Sequence, residues 1–169
     1  MTEYSTARWR AIQEDFLATG DAATVEKALT VLRGESVFEA YRAAMESAFP
    51  HGVAVLAGGA FGHGRTFPCS DLDIVLLADS GKRSEALKDA LPEFVRLLWD
   101  AGLRPNSAVL TVADCLEEVE RSGLPAFSLL DRRWLAGDRA VPERMRALVA
   151  RHGRAELLGW LRTGLPASL

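Results

Sequence analysis

Apolar residues recur at helical spacing over residues 5–18, where Trp9, Ile12, Phe16 and Leu17 fall on one face. Gly20-Asp21 ends this element, and Asp21 is placed to cap the next one. The same period runs over residues 22–48 through Val25, Ala28, Leu29, Leu32, Val37, Tyr41, Ala44 and Ala48, with Gly34 as a candidate break. After the loop Phe49-Pro-His-Gly52 the pattern changes. Val53–Ala57 is a short continuous apolar run, which fits a buried strand, and Leu72–Ala78 reads as a second strand, again largely apolar and β-branched. Between them, residues 58–70 hold four glycines and read as a connector. Residues 82–101 return to helical spacing, with Leu87, Leu91, Phe94, Val95, Leu98 and Trp99 inward, Pro92 as a candidate split and Gly102 as the stop. Ala108–Val112 is a third strand candidate, and residues 113–121, 125–136 and 140–162 read as helices. The predicted order is α-α-β-β-α-β-α-α-α. It gives an α/β (or α+β) domain with a small sheet, flanking helices and a helical C-terminal third. Three parts are expected: N-terminal helices over 1–50, a core over 51–122, and a helical segment over 123–169 packed on that core.

Composition narrows the class. The 169 residues are 49% hydrophobic and 25% charged, ordinary for one globular domain. A net charge of −3 and a pI near 5.7 lack the basic excess of a dedicated nucleic-acid binder, so nucleic acid is not expected as a partner. A nucleotide remains open, because backbone amides or a metal ion can serve phosphates. The two cysteines, Cys69 and Cys115, have no metal-binding spacing and suggest a reducing compartment. The first residues are charged, and no apolar stretch approaches the roughly 18 residues of a membrane span. A cytoplasmic protein without a membrane partner is expected.

The candidate chemistry lies in Leu56-Ala-Gly-Gly-Ala-Phe-Gly-His-Gly-Arg-Thr-Phe-Pro-Cys-Ser-Asp-Leu-Asp-Ile-Val-Leu-Leu77. A strand ends in glycines, which allow positive φ and close approach of the backbone to a ligand. The next strand opens on Asp71-Leu72-Asp73. Side chains alternate along a strand, so Asp71 and Asp73 share a face while Leu72 enters the core. Two neighbouring carboxylates repel unless a cation lies between them. Divalent ions such as Mg²⁺ or Mn²⁺ take carboxylate oxygens together with substrate phosphates. Phosphoryl or nucleotidyl transfer is the chemistry that uses this layout.

The pattern of Gly-[Gly/Ser], about ten residues, then Asp-x-Asp on a strand resembles the polymerase-β-like nucleotidyltransferases. The stretch Gly62-His-Gly-Arg-Thr-Phe-Pro-Cys-Ser-Asp-Leu-Asp73 looks most like the nucleotidyltransferase domain of the PII-protein uridylyltransferases. Leu98-Trp-Asp-Ala-Gly-Leu103 and Ser128-Leu-Leu-Asp-Arg-Arg-Trp-Leu-Ala-Gly-Asp138 continue that likeness in the same order. The resemblance implies a small mixed sheet of the polymerase-β type. It also implies transfer of a nucleoside monophosphate from an NTP to a protein or small-molecule acceptor, with release of pyrophosphate. Asp71 and Asp73 would be the catalytic metal ligands, and Gly58, Gly59 and Ser70 would lie near the triphosphate. Counting back from Ser70 puts Gly59-Ala60 in the glycine register, while Gly58-Gly59 needs one inserted residue. His63 stands where the group has an arginine, and Arg65 where it has an acid.

His63 reads as a donor to a phosphate oxygen or as plain surface loop, and Arg65 as a phosphate clamp or a solvated charge. Many members of the superfamily carry a third acid on a neighbouring strand, but Asn106–Val112 has none. Asp114 follows that strand and reads first as the N-cap of the next helix. Three functions therefore stay open: an active nucleotidyltransferase, a catalytically weak nucleotide-binding or regulatory relative, and an adenylylating antitoxin of a toxin–antitoxin pair.

Overall fold

The computed structural model describes residues 3–122 and 131–163. It begins with two helices, α1 (Glu3–Thr19) and α2 (Ala22–Ala44). The Asp21 carboxylate accepts from the Ala23 and Thr24 amides at 2.9 and 3.3 Å, which starts α2 where the sequence predicts. Gly34 does not break α2. One glycine lowers helix stability by about 1 kcal/mol, and burial of Leu29, Leu32, Val37 and Tyr41 along the helix outweighs that. The helix stops short of residue 48 because the chain turns back there. The Phe49 amide donates to the Met45 carbonyl, and the Tyr41 hydroxyl donates to the Phe49 carbonyl at 3.0 Å.

Strands β1 (Val53–Ala57) and β2 (Leu72–Ala78) pair antiparallel, with Ala57 opposite Ile74. A short helix, α3 (Gly59–Gly62), lies within the connector that the sequence reads as irregular. Helix α4 (Gly81–Asp100) then crosses over to β3 (Pro105–Thr111), which runs parallel to β2. Pro92 leaves α4 in one piece, carried by the buried stripe Leu87, Phe94 and Leu98. Trp99 is a correction: it is 55% exposed, because it sits a third of a turn off that stripe. Helix α5 (Val112–Ser122) follows β3 directly.

The main departure is β4 (Arg133–Gly137), which pairs antiparallel with β1 where a helix over 125–136 is predicted. The rest of that prediction, residues 123–130, lies outside the described residues. Trp-Leu-Ala suits a helix as well as a strand, and the free edge of β1 decides the matter. The sheet, in order β3-β2-β1-β4, thus draws its fourth strand from beyond residue 122. Helix α6 (Ala140–Thr163) ends the described chain.

The sheet is covered on both faces. Val55, Ala57, Leu72, Ile74 and Leu76 pack with α2 and α4, including Val37, Tyr41, Leu87, Phe94 and Leu98. Ala54, Leu56, Val75 and Leu77 pack with Val112 and Cys115 of α5 and Val141, Met145 and Val149 of α6. Two-sided burial is why β1 and, after Asp73, β2 read as apolar runs. Cys69 and Cys115 are free thiols, exposed and buried respectively. Among the described residues no helix is long and apolar enough to cross a membrane.

Asp138 ties the last helix to the sheet. Its carboxylate accepts from the Ala140 amide at the start of α6 and from the Gly52 amide before β1, both at 2.9 Å. These hydrogen bonds, first that from Gly52, hold the carboxyl below its ordinary value of 3.8. The folded-state pKa is therefore depressed, so the stabilisation is complete above that ordinary value and is lost as pH falls through the folded one. Asp138→Ala should cost about 1 kcal/mol in urea unfolding at pH 7. The gap between variant and parent should close as the pH is lowered below 3.8.

Candidate functional site

The site grows from the end of the β1–β2 ladder. One step past Ala57↔Ile74, the Gly58 amide donates to the Asp73 carbonyl at 2.9 Å. Gly59 then turns the chain with φ +52°, and α3 follows with Phe61 buried. A Cβ on Gly59 would stand 2.4 Å from Asp73 Oδ2, whereas one on Gly58 would make ordinary contact at 3.7 Å with Asp73 Cβ. Of the two glycines, only Gly59 is demanded, by both its backbone angle and the carboxylate lying against it.

Asp73 is half-buried and on the opposite face from Leu72 and Ile74. Its Oδ1 accepts from Asn106 Nδ2 at 3.0 Å, and Asn106 is its register partner on β3. Asp71, one residue before β2, is exposed and by alternation falls on the same side as Asp73. Neither carboxylate is ion-paired with a lysine or arginine among the described residues. Nor do three or more His, Cys, Asp or Glu side chains gather in a metal-holding group among those residues. Two uncompensated carboxylates suit a hard divalent cation whose remaining ligands come from water and substrate phosphates. Sequence reasoning passed over Asn106. A polar residue at a strand start reads as turn chemistry until the register of β3 against β2 is known.

The connector from α3 to β2 carries the other candidates. His63 caps the end of α3, its amide donating to the Gly59 carbonyl, and its side chain is exposed. Arg65 is exposed as well, with its amide on the Ala60 carbonyl at 2.8 Å. Ser70 closes a turn: its hydroxyl accepts from the Phe67 amide at 3.1 Å, and its own amide donates to the Phe67 carbonyl at 3.0 Å. The structure brings Gly58, Gly59 and Asp73 into contact and sets Ser70 and Asp71 beside them in the chain. It leaves His63 and Arg65 on the surface of the connector.

Two arginines outside the motif also hold this region. Arg33 on α2 is 7% exposed and donates from Nη2 to the Pro68 carbonyl at 2.8 Å. Arg133 on β4 donates from Nη2 to the Phe61 carbonyl at 3.2 Å, with its guanidinium 5.2 Å from the centre of the Phe61 ring. Burial lowers the pKa of both. Nothing in their spacing distinguishes them from surface charges; only burial does.

Asp114 belongs elsewhere. Its carboxylate accepts from the Thr111 amide at 2.6 Å while the Asp114 amide donates to the Thr111 hydroxyl at 3.0 Å. This is a capping box in which Thr111, not Asp114, is the N-cap of α5. Thr111 pairs with Ala78, five positions along the ladder from Asn106 and Asp73. At about 3.3 Å per residue that is roughly 16 Å from the carboxylate pair.

No protein-family model matches the chain. The curated relatives that the chain matches include proteins named bifunctional uridylyltransferase/uridylyl-removing enzyme. That of Pseudomonas entomophila (strain L48) is 35% identical over 96 residues, 57% of this chain and 11% of that protein. That of Burkholderia orbicola (strain MC0-3) is 32% identical over 142 residues, 84% of this chain and 16% of that protein. That of Aromatoleum aromaticum is 37% identical over 131 residues, 75% and 15% of the two chains. The chain therefore spans 16% or less of the length of these relatives. A solved structure described as a toxin-antitoxin with AMP-PNP superposes with a TM-score of 0.42 and 12% identity, over 77% of this chain and 94% of that one.

Gly59→Ala should lose at least about 1 kcal/mol in urea unfolding, from the left-handed backbone alone. Gly58→Ala should stay within about 0.5 kcal/mol of the parent. Asp114→Ala should cost about 1 kcal/mol in urea unfolding through the lost cap.

Proposed function

We propose that the chain is a metal-dependent nucleotidyltransferase domain, moving a nucleoside monophosphate from an NTP to a protein or small-molecule acceptor. The observation that carries this reading is the pair Asp71 and Asp73, without a lysine or arginine ion pair among the described residues, beside a backbone turn that only Gly59 permits. The partial sequence relationship to uridylyltransferases supports it.

In the proposed reaction an acceptor oxygen bonds to the α-phosphorus, the bond to the bridging oxygen breaks, and pyrophosphate leaves. The chain's own residues bind and orient. Gly58 and Gly59 let the triphosphate approach the backbone, Ser70 can still donate its hydroxyl proton to a phosphate oxygen, and His63 and Arg65 reach from the connector. Asp71 and Asp73 would hold Mg²⁺ or Mn²⁺, which when bound neutralises charge on the phosphates. Asn106 orients the Asp73 carboxylate through its 3.0 Å hydrogen bond. An amide cannot take the acceptor's proton, so that proton passes to Asp73, to water, or to a base on the acceptor itself. Losing a positioned base typically costs about 10²–10⁴-fold in rate, so turnover should be slow.

Asn106 also favours a second reading, in which the domain binds nucleotide for regulation and transfers little. A panel of NTPs with Mg²⁺ or Mn²⁺, followed by pyrophosphate release and labelled acceptor, separates the two. Asp71→Asn and Asp73→Asn should each lower transfer at least about a hundredfold with thermal stability unchanged or raised, because one of two repelling charges is gone. Nucleotide binding of equal affinity with and without the metal would exclude the proposed site.

A further inference from the structure

The two carboxylates of the site are held by different parts of the fold. Asp73 belongs to β2, and its position is set by the ladder to Gly58 and by Asn106. Asp71 stands before the strand, at the end of the 63–70 connector, and α2 holds that connector at both ends. Toward its start, Thr30 Oγ1 lies 2.9 Å from the Gly64 carbonyl oxygen and 2.8 Å from the Oγ1 of Thr66, which is fully buried. Toward its end, Arg33, one helical turn after Thr30, donates to the Pro68 carbonyl. Pro68 lies inside the turn closed by Phe67 and Ser70, and Asp71 is the next residue.

Arg33 is a costly way to make one hydrogen bond. The side chain is almost entirely buried, no carboxylate pairs with it among the described residues, and its Nη1 has no hydrogen-bond partner there. A buried guanidinium without a counter-ion does not add to stability; an apolar side chain of similar volume usually serves the core better. Its five donors in a rigid plane do, however, fix the direction of what they hold. We infer that Arg33 is a positioning residue of the transfer site, fixing the Phe67–Ser70 turn and through it the distance of Asp71 from Asp73. This rests on the nucleotidyl transfer proposed above.

A stabilising residue and a positioning residue give opposite outcomes on replacement. Arg33→Met should keep or raise the melting temperature. It should also speed hydrogen exchange at the Ser70 amide at least tenfold, while the Gly58 amide, held by the sheet, is unaffected. Binding of Mn²⁺ alone should weaken at least tenfold, and kcat should fall about a hundredfold, as for a misplacement near 1 Å. Arg33→Lys, which keeps one donor for the Pro68 carbonyl, should recover part of each loss. A lower melting temperature with unchanged Mn²⁺ affinity and unchanged kcat per folded molecule would make Arg33 merely structural and overturn the inference. Equal acceleration of the Ser70 and Gly58 amides would overturn it too. If Arg33→Met does not fold, Arg33→Lys decides, and Mn²⁺ affinity equal to the parent counts against a positioning role. If the parent transfers nucleotide from no NTP, the proposed function fails, and the exchange and Mn²⁺ measurements still judge Arg33.

Discussion

The antiparallel ladder between β1 and β2 runs one step past the strands, from the Gly58 amide to the Asp73 carbonyl, and the whole site hangs on that step. It fixes the backbone of Asp73 against the chain leaving β1. The carboxylate then occupies the space where a side chain on the next residue would stand, so position 59 must lack one. The chain turns there in a left-handed conformation, enters α3 and buries Phe61 under the sheet end. Glycine and aspartate are fifteen residues of sequence logic reduced to one steric contact.

Around that contact the protein spends buried positive charge. Arg33 holds the connector, Arg133 holds α3 by the Phe61 carbonyl, and the Arg132 carbonyl accepts from Arg146 on α6. Arg33, Arg132 and Arg133 each keep a buried nitrogen without a hydrogen-bond partner among the described residues. Burial lowers the pKa of all three. A fold selected for stability alone would not gather such groups. Two of the three, Arg33 and Arg133, donate to carbonyls of the segment between β1 and β2.

Much of this was legible in the sequence. Val53–Ala57 and Leu72–Ala78 appear with their observed limits because burial on both faces makes them apolar throughout, Asp73 alone excepted. Asp21 marks its helix because a capping carboxylate acts on amides two and three residues away. What was hidden depends on distant partners. Arg133–Gly137 becomes a strand because β1 offers an edge, and its own residues suit a helix equally well. Asn106 acquires meaning only from its register with Asp73. Arg33 carries no signal of its own in the sequence, and its burial depends on the connector whose Pro68 carbonyl it meets. Asp114 was read correctly as a capping group and wrongly as the cap itself, since Thr111 takes that position.

The place of β4 in the sheet has a consequence for how the chain reaches its native state. Strands β1, β2 and β3 are joined by one short connector and one helix crossover, so their pairing closes modest loops. The contacts that seat β4 are far longer in range: Asp138 meets Gly52 across 86 residues, and Arg133 meets Phe61 across 72. Loop-closure entropy makes such pairings late events in folding. Arg133 is also the residue that fastens α3, so during synthesis the three-stranded core can assemble while the turn beside Asp73 still lacks that clasp. The candidate site then gains its contact from Arg133 to Phe61 only after the ribosome has released the segment that forms the fourth strand.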